Sequence, residues 1–234
     1  MENSKIKYIA ESAPGELVSY LESLGYTVKK VSPLEVLPAG IADHPDLRMC
    51  RMGIADEAVV LFADEDSLTA EYPGDVPFNA ACTGKYLICN TDYVSKKIYA
   101  AAIMMGMRIV HVAQGYTKCS VVIVDEDSII TYDRGIAAAC REYGMNVLLV
   151  EAGHCRLEGY NTGFIGGCSG RVGDEVVFAG NLSEHPDYEE MLHFIESRGL
   201  KCRFFDGPLT DICSIIGRST LLSRFSYCTS AALT

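Results

Sequence analysis

The stretch VSKKIYAAAIMMGMRIVHV, at residues 94–112, decides the fold. Its first twelve residues predict an amphipathic helix, because apolar side chains recur at helical spacing. Gly106 follows at the position where many helices end in a residue with positive φ. Residues 108–112 are rich in β-branched side chains and predict a strand. The stretch is therefore a helix–glycine–strand unit.

The same unit recurs along the chain. Three further amphipathic segments each end at a glycine that precedes a strand-like apolar run, so the chain has four such glycines: Gly25, Gly106, Gly144 and Gly199. Hairpin-like pairs stand between the helices, at 120–124 with 128–131 and at 164–165 with 175–178. A degenerate copy with strands at 58–62 and 86–89 fits between Gly25 and Gly106. The repeat predicts strand–strand–helix–strand units.

The two ends of the chain predict that the repeat array closes on itself. The chain begins with a helix and its strand, and residues 212–216 resemble the first strand of a unit. If that strand completes the N-terminal unit, no sheet edge stays open. We expect one domain over residues 1–234, with residues 218–234 as a peripheral tail. A two-domain α/β protein of the nucleotide-binding type is the alternative that the alternation of strands and helices leaves open.

A Cys-Ser dipeptide marks the repeat at Cys119, Cys168 and Cys213. The structural interpretation is that each cysteine packs as a small hydrophobic side chain at an equivalent position. The chemical interpretation is that one or two of them are reactive thiols near the centre of the molecule. Both interpretations stay open at this point.

Composition and charge limit the classes of partner. The chain has 234 residues, 20 Lys and Arg, 31 Asp and Glu, a formal net charge of −11 and ten cysteines. An acidic surface argues against nucleic acid and is compatible with a small cationic ligand. No segment is long and apolar enough to span a bilayer or act as a signal peptide, which predicts a cytoplasmic protein with reduced thiols and no membrane partner. A homo-oligomer is compatible with this composition.

Three motifs carry a resemblance to a known family: QGYTKCS at 114–120, GYNTGFIGG at 159–167 and LTDICSII at 209–216. Together with the repeated unit they resemble an uncharacterised bacterial branch of the pentein superfamily, the guanidino-group-modifying enzymes. The resemblance covers most of the chain in architecture and is weaker in catalytic motifs. It implies a five-bladed α/β propeller closed by the C-terminal strand.

The superfamily pattern implies a cysteine nucleophile in the last unit, a histidine at the start of an earlier hairpin, and carboxylates that bind the guanidinium. Cys213 matches the nucleophile by position, and His154 resembles the Gly-His start of the histidine hairpin. Arg156 stands where the pattern has an acid two residues after the histidine. Cys119 is the rival nucleophile, because Lys118 beside it would stabilise a thiolate.

Further candidates are carboxylates at unit starts or strand ends, together with one asparagine in a Pro-Asn-like stretch: Asp46, Asn79, Asp133, Glu158 and Asp211. Each carboxylate has an ordinary alternative as a turn or helix cap. His44 in a loop and His111 in a strand are weaker candidates. Residues 163–173 contain five glycines but match no phosphate-binding fingerprint, which favours a turn or a close backbone approach.

These candidates predict a cysteine-dependent hydrolase or amidinotransferase that acts on a small guanidino compound through a covalent thiouronium. Cys213 would attack, His154 would be the acid and base, and Asp46 and Asp211 would bind the cation. No spacing indicates a metal site, and we expect no cofactor. The alternative from another class is a non-catalytic propeller that binds a protein partner or a small ligand.

Overall fold

The structure is a computed structural model that describes residues 5–219. The strands are β1 (Lys5–Ala10), β2 (Thr27–Val31), β3 (Met49–Arg51), β4 (Val60–Phe62), β5 (Ala81–Cys82), β6 (Tyr86–Cys89), β7 (Arg108–His111), β8 (Val121–Ile123), β9 (Ser128–Thr131), β10 (Asn146–Leu149), β11 (Ser169–Val172), β12 (Glu175–Phe178), β13 (Lys201–Arg203) and β14 (Ile216–Ser219). The α-helices are α1 (Gly15–Ser23), α2 (Pro45–Arg48), α3 (Lys96–Met104), α4 (Thr117–Ser120), α5 (Arg134–Glu142) and α6 (Tyr188–Glu196).

Four three-stranded sheets share one topology, in the orders β5-β6-β7, β8-β9-β10, β11-β12-β13 and β14-β1-β2. In each sheet the first two strands are antiparallel, and the third is parallel to the second after a helical crossover. A parallel pair needs such a crossover because a tight turn reverses the direction of the chain and can therefore join only antiparallel strands. The predicted α/β class and the strand–strand–helix–strand unit are therefore confirmed.

The sheet that contains both ends of the described chain pairs β14 with β1. Ile6 lies opposite Arg218, and Tyr8 lies opposite Ile216, in antiparallel register. The last strand thus supplies the first position of the N-terminal unit, as predicted. The proposed tail at 218–234 begins inside β14, and its residues 220–234 lie outside the described part of the chain.

Glycines end the four long helices. Gly25, Gly106, Gly144 and Gly199 have φ of +82°, +71°, +81° and +74°. A residue with a Cβ rarely adopts this conformation, so the glycine allows the chain to leave the helix and begin the parallel strand two residues later. Ser95 and Asp133 cap the starts of α3 and α5 by accepting backbone N–H bonds. The helix–glycine–strand unit of the sequence is present at all four positions.

Three strand predictions need correction. The predicted degenerate unit at 58–62 and 86–89 is divided between two sheets, because β4 pairs with β3 and β6 pairs with β5 and β7. The first strand of the glycine-rich hairpin is β11, five residues later than predicted, because 163–167 form a close-packed turn. The last strand begins at Ile216, because residues 213 and 214 have positive φ and cannot extend a strand.

The segments that immediately precede the first strands carry the polar residues of interest. The short helices α2 and α4 precede β3 and β8, and the turn at Cys213–Ser214 precedes β14. Apolar clusters fill the space between sheets and helices, and one of them joins Leu47, Cys119 and Cys213. Among residues 5–219, no helix has the length and apolar character that a membrane crossing requires.

Candidate active site

Four side chains from four such segments meet in the interior: Asp46, Asn79, Cys119 and Cys213. All four are nearly inaccessible to solvent, with Cys213 at 0% and Asp46 at 1% exposure. Each stands two or three residues before the first strand of its sheet. The repeat therefore brings equivalent positions of different units to one place.

The two thiols contact each other and share one carboxylate. The Sγ atoms of Cys119 and Cys213 are 3.0 Å apart. The Cys119 thiol lies 3.5 Å from each oxygen of Asp46, and the Cys213 thiol donates a hydrogen bond to Asp46 Oδ1. Asp46 is thus the acceptor at the centre of a buried dithiol pair.

Asn79 holds two members of this group in place. Its Nδ2 donates to Asp46 Oδ1 at 2.8 Å and to Cys119 Sγ at 3.0 Å. Its Oδ1 accepts the backbone N–H of Cys119 at 3.1 Å. An amide side chain has both donors and an acceptor, so one residue satisfies all three bonds.

Lys118 and Ser214 complete the polar surroundings of Asp46. Ser214 Oγ donates to Asp46 Oδ2 at 3.2 Å, and Lys118 Nζ donates to Ser214 Oγ at 2.6 Å and to the Gly166 carbonyl at 3.2 Å. Burial raises the pKa of Asp46 to about 6, while the positive charge of Lys118 acts in the opposite direction. The carboxyl therefore titrates close to neutral pH.

Cys213 stands at an unusual backbone turn. Cys213 and Ser214 have φ of +51° and +88°, the left-handed region that favours glycine. Asp211 Oδ1 accepts the Cys213 N–H at 2.9 Å, and the Gly167 carbonyl accepts the Ser214 N–H at 2.9 Å. These bonds hold a conformation that side chains with a Cβ seldom adopt, and such strain is typical of functional sites.

The glycine-rich run 163–167 makes room for Asp211. A Cβ placed on Gly167 would lie 2.0 Å from Asp211 Oδ1, and a Cβ on Gly163 would lie 2.6 Å from Asp211 Cβ. The Phe164 N–H donates to Asp211 Oδ2 at 2.8 Å. The glycines are therefore required by a close backbone approach to a buried carboxylate, which is the alternative that the sequence favoured.

His44 joins the group from the residue before α2. A ring nitrogen of His44, an oxygen of Asp211 and the Sγ of Cys213 all lie within 4.8 Å of one another. His44 is 3% exposed, and burial lowers the pKa of its imidazole, although the charge of Asp211 acts the other way. Burial likewise raises the pKa of Asp211 and that of the Cys213 thiol.

A cavity of about 220 Å³ leads to this group, and its floor includes His44, Cys119 and Asp211. Its walls include Tyr116, Tyr160 and Phe164. The ring of Tyr116 packs against Phe164 at 5.8 Å between centroids, so part of the wall is a continuous aromatic surface. Aromatic faces attract cations, and so does the carboxylate of Asp211.

A wider groove of about 830 Å³ also reaches His44 and Asp211. Its acidic lining residues are Glu11, Asp43, Glu158, Asp206 and Asp211, against one basic residue, Arg156. Clefts lined by one sign of charge concentrate ligands of the opposite sign. The surroundings of the cavity therefore favour a cationic ligand.

Three predicted candidates lie elsewhere. His154 is 3.5 Å from Glu151 through its Nε2 and stacks edge-to-face on His185, in a separate cavity that Cys213 does not line. Asp133 caps α5 by accepting the Ile136 N–H. Glu158 is exposed on the acidic groove, outside the buried group.

His44 is the residue that sequence reasoning undervalued. It stands in His44-Pro45-Asp46, a sequence that repeats at His185 and is explained there by helix capping. The sequence does contain one indication of its role, namely that His44 lies two residues before Asp46. Both side chains reach the buried Cys213 from the start of the same short helix.

Two sets of three side chains have the chemistry of metal ligands: Asp46 with Cys119 and Cys213, and His44 with Asp211 and Cys213. The ligand atoms of each set lie within 4.8 Å of one another. Sequence spacing showed neither set, because their members come from different units. The sequence-based expectation that the protein has no metal stays a prediction.

The fold is similar to that of solved enzymes. A dimethylarginine dimethylaminohydrolase in an adduct with S-methyl-L-thiocitrulline superposes with a TM-score of 0.51 at 10% identity, over 94% of this chain and 100% of that chain. An adduct with 4-chloro-2-hydroxymethylpyridine gives 0.52 at 9% identity, with the same coverage. C. jejuni agmatine deiminase gives 0.40 at 12% identity, over 91% of this chain and 66% of that chain.

The similarity to the two dimethylarginine dimethylaminohydrolase structures is one of fold, and it confirms at that level the resemblance found in the sequence. A family model described as "Family of unknown function (DUF6873)" matches residues 8–216, and the chain belongs to that family. A comparison with curated protein sequences finds no match.

Proposed function

We propose that this protein is a cysteine-dependent hydrolase of a small guanidino compound. The five sheets would be the blades of an α/β propeller with this site at its axis. The observation that carries the proposal is the grouping of His44, Asp211 and Cys213 within 4.8 Å, next to a cavity that His44 and Asp211 line. A thiol, an imidazole and a carboxylate in mutual reach are what nucleophilic catalysis with proton transfer requires.

The cavity accounts for the substrate class. A planar guanidinium can accept contacts from aromatic faces and donate two parallel N–H bonds to one carboxylate. Tyr116 and Phe164 supply such faces, and Asp211 is the carboxylate on the floor. The acidic groove draws the cation toward this entrance.

In the first step the Cys213 thiol turns its hydrogen from Asp46 toward His44, and His44 takes that proton. The thiolate then attacks the central carbon of the guanidinium, forming a C–S bond and a neutral tetrahedral intermediate. His44 returns the proton to the departing nitrogen, the C–N bond breaks, and an amine or ammonia leaves a thiouronium on Cys213. Neutral imidazole, which burial favours at His44, is the state that this base needs.

Water completes the reaction. A water molecule that gives one proton to His44 adds its oxygen to the thiouronium carbon. Collapse breaks the C–S bond and releases a ureido product, and the hydroxyl proton of the adduct passes to the sulfur to regenerate the thiol. His44 loses its proton to the solvent, where the amine released earlier takes one up, and becomes neutral again. With an amine in place of water, the same intermediate would transfer the amidino group, so the hydrolase and the amidinotransferase share one first half-reaction.

Asp46 and Cys119 have supporting positions in this scheme. Asp46 does not line the aromatic cavity, so it orients the thiols and does not bind the substrate. Cys119 does line the cavity and contacts Cys213, which has no exposure of its own. For Cys213 to reach the substrate, the Cys119 side chain must therefore rotate out of the way. If the Cys119 side chain keeps its position, Cys119 is the rival nucleophile.

The test is release of ureido product from a panel of guanidino compounds, including arginine, agmatine and N-methylated arginines. We expect Cys213→Ser to lose activity by about a thousandfold or more, because a hydroxyl is a far weaker nucleophile at neutral pH. Cys119→Ala should keep activity. Cys202→Ser, at a half-buried cysteine in β13, is the matched control.

A second pair of variants separates the two histidines. His44→Asn should lose activity and His154→Asn should keep it, because a His44 ring nitrogen lies within 4.8 Å of the Cys213 thiol, whereas His154 lines a separate cavity that Cys213 does not line. Loss in Cys119→Ala with retention in Cys213→Ser would transfer the nucleophile to Cys119. If calorimetry shows that guanidino compounds bind but none of them is turned over, the result would favour the non-catalytic alternative. The acidic groove is compatible with that alternative as well.

A further inference from the structure

A second cavity, of about 50 Å³, reaches Asp46 from another direction. It shares no lining residue with the aromatic cavity: Asp46 lines this one, and Cys119, whose thiol lies 3.5 Å from Asp46, lines the other. Lys118 and Asp46 line it together with Arg51 and Arg171. The proposed reaction uses neither arginine.

Both arginines lack a carboxylate partner. Within residues 5–219, every ion pair of 4.0 Å or less involves other side chains. Arg51 Nη2 donates to the carbonyls of Ile54 and Ala55, and the Arg171 guanidinium donates to those of Val124 and Gly173.

The Nε atoms of Arg51 and Arg171 remain unsatisfied. Both are buried, and neither has a hydrogen-bond partner. A buried donor that is left unpaired is destabilising, more so when it is charged, and therefore calls for a specific partner such as an anion.

A third cation stands beside them. Lys7 is 3% exposed, and its Nζ donates to the Arg171 carbonyl at 3.0 Å. Burial, and then the charge of Arg51, lower the pKa of Lys7 to about 7. Asp56, the carboxylate that acts in the opposite direction, is already paired with Lys5 at 2.8 Å.

We propose that this cavity binds a small oxyanion between the guanidinium groups of Arg51 and Arg171. Inorganic phosphate is an oxyanion of the size and charge that such a site would bind. A guanidinium presents its N–H groups as a rigid fork that matches phosphate or carboxylate oxygens. Lys7, Arg51 and Arg171 are three clustered basic residues in a chain of net charge −11. Asp56 attracts Lys7 and Arg51, and Asp125 and Asp174 attract Arg171. Within residues 5–219 none of these carboxylates, nor Asp46 in the lining, forms an ion pair of 4.0 Å or less with either arginine. The cavity volume suits one oxyanion group and excludes a nucleotide.

The experiment measures thermal stability of the full chain with sodium phosphate, sulfate or acetate, against sodium chloride at equal ionic strength. We expect a saturable rise of Tm with phosphate, since a ligand that binds the folded state stabilises it. Arg51→Met and Arg171→Met should each weaken the apparent affinity about tenfold or more. Arg198→Met, at an exposed arginine, should not change it.

Binding should persist in Cys213→Ser, which separates this site from the proposed reaction. A shift with acetate as strong as that with phosphate would assign the site to carboxylates as well. If an arginine variant does not fold, phosphorus NMR of inorganic phosphate with the wild-type protein is measured in its place. We then expect the protein to broaden the phosphate line and excess sulfate to reverse the broadening. The absence of any saturable effect beyond chloride, or an unchanged response in both arginine variants, would overturn the proposal.

Discussion

The Sγ atoms of Cys119 and Cys213 lie 3.0 Å apart, although 94 residues separate the two cysteines in the chain. The distance is well above the roughly 2.05 Å of a disulfide, so the two are thiols in contact. Both lie against Asp46. The nucleophile that we propose and its rival are therefore one buried pair.

This contact predicts a selective cross-link. Diamide removes two electrons and two protons from a thiol pair, and we expect it to join Cys119 and Cys213 before other cysteines. Alkylation under denaturing conditions followed by intact mass should show two fewer modified thiols. Cys202→Ser should show the same decrease of two modified thiols as the wild type. If Cys119→Ser also showed that decrease, the prediction would be contradicted.

The buried carboxyl of Asp46 predicts a pH dependence of stability. Its pKa is about 6 in the folded state against 3.8 for an ordinary aspartate, so between these pH values the folded state binds more protons than the unfolded chain. The contribution of Asp46 to stability therefore falls as pH rises through this window. The free energy of unfolding of Asp46→Asn relative to the wild type should increase by about 2 kcal/mol from pH 4 to pH 7.

Urea unfolding at the two pH values measures this difference. Asp66→Asn, at an exposed carboxylate, is the matched control and should show no such change. A constant difference between Asp46→Asn and the wild type would mean that Asp46 titrates normally.

Asn79 is predicted to be important for stability. Replacement by alanine leaves the buried Cys119 N–H without its acceptor and removes one of the donors to Asp46 Oδ1, which should cost about 2–4 kcal/mol. Asn146→Ala, at an exposed asparagine in β10, should change the free energy of unfolding by less than about 1 kcal/mol. Equal effects of the two substitutions, measured by urea unfolding, would show that the Asn79 bonds contribute little.

Gly167 is predicted to tolerate no side chain. The methyl group of Gly167→Ala would overlap Asp211 and must displace it, which should destabilise the protein by about 1–3 kcal/mol and reduce any turnover. Gly15→Ala is the matched control, because a Cβ there meets nothing within 4 Å at the start of α1. Thermal unfolding of both variants measures the effect, and a neutral Gly167→Ala would argue against the close approach.

Much of the fold was predictable because it depends on local signals. Helical periodicity, a glycine at each helix end and the following β-branched run are all read within about twenty residues. The predictions failed where a distant contact decides the backbone. Residues 163–167 form no strand because they pack against Asp211, and residues 212–215 form none because Cys213 and Ser214 turn with positive φ.

The types of residue in the site were predictable from the sequence, but which particular residues form the site was less so. Asp46, Asn79, Asp211 and both cysteines were identified as candidates, and the structure brings them together. His154 was preferred over His44 because a Gly-His start resembled the superfamily pattern. The histidine that lies beside Cys213 is His44, from another unit. Its spacing of two residues from Asp46 indicates that both share one region, but only the tertiary structure shows that this region faces the thiol.

The sequence by itself determined the repeated unit, its order and the equivalence of the three Cys-Ser positions. Only the tertiary structure decided that these equivalent cysteines differ. Cys168 packs in an apolar cluster and bonds the Phe164 carbonyl, whereas Cys119 and Cys213 share Asp46. The physical reason is that a local pattern places a side chain on its strand, while its neighbours come from segments tens of residues away.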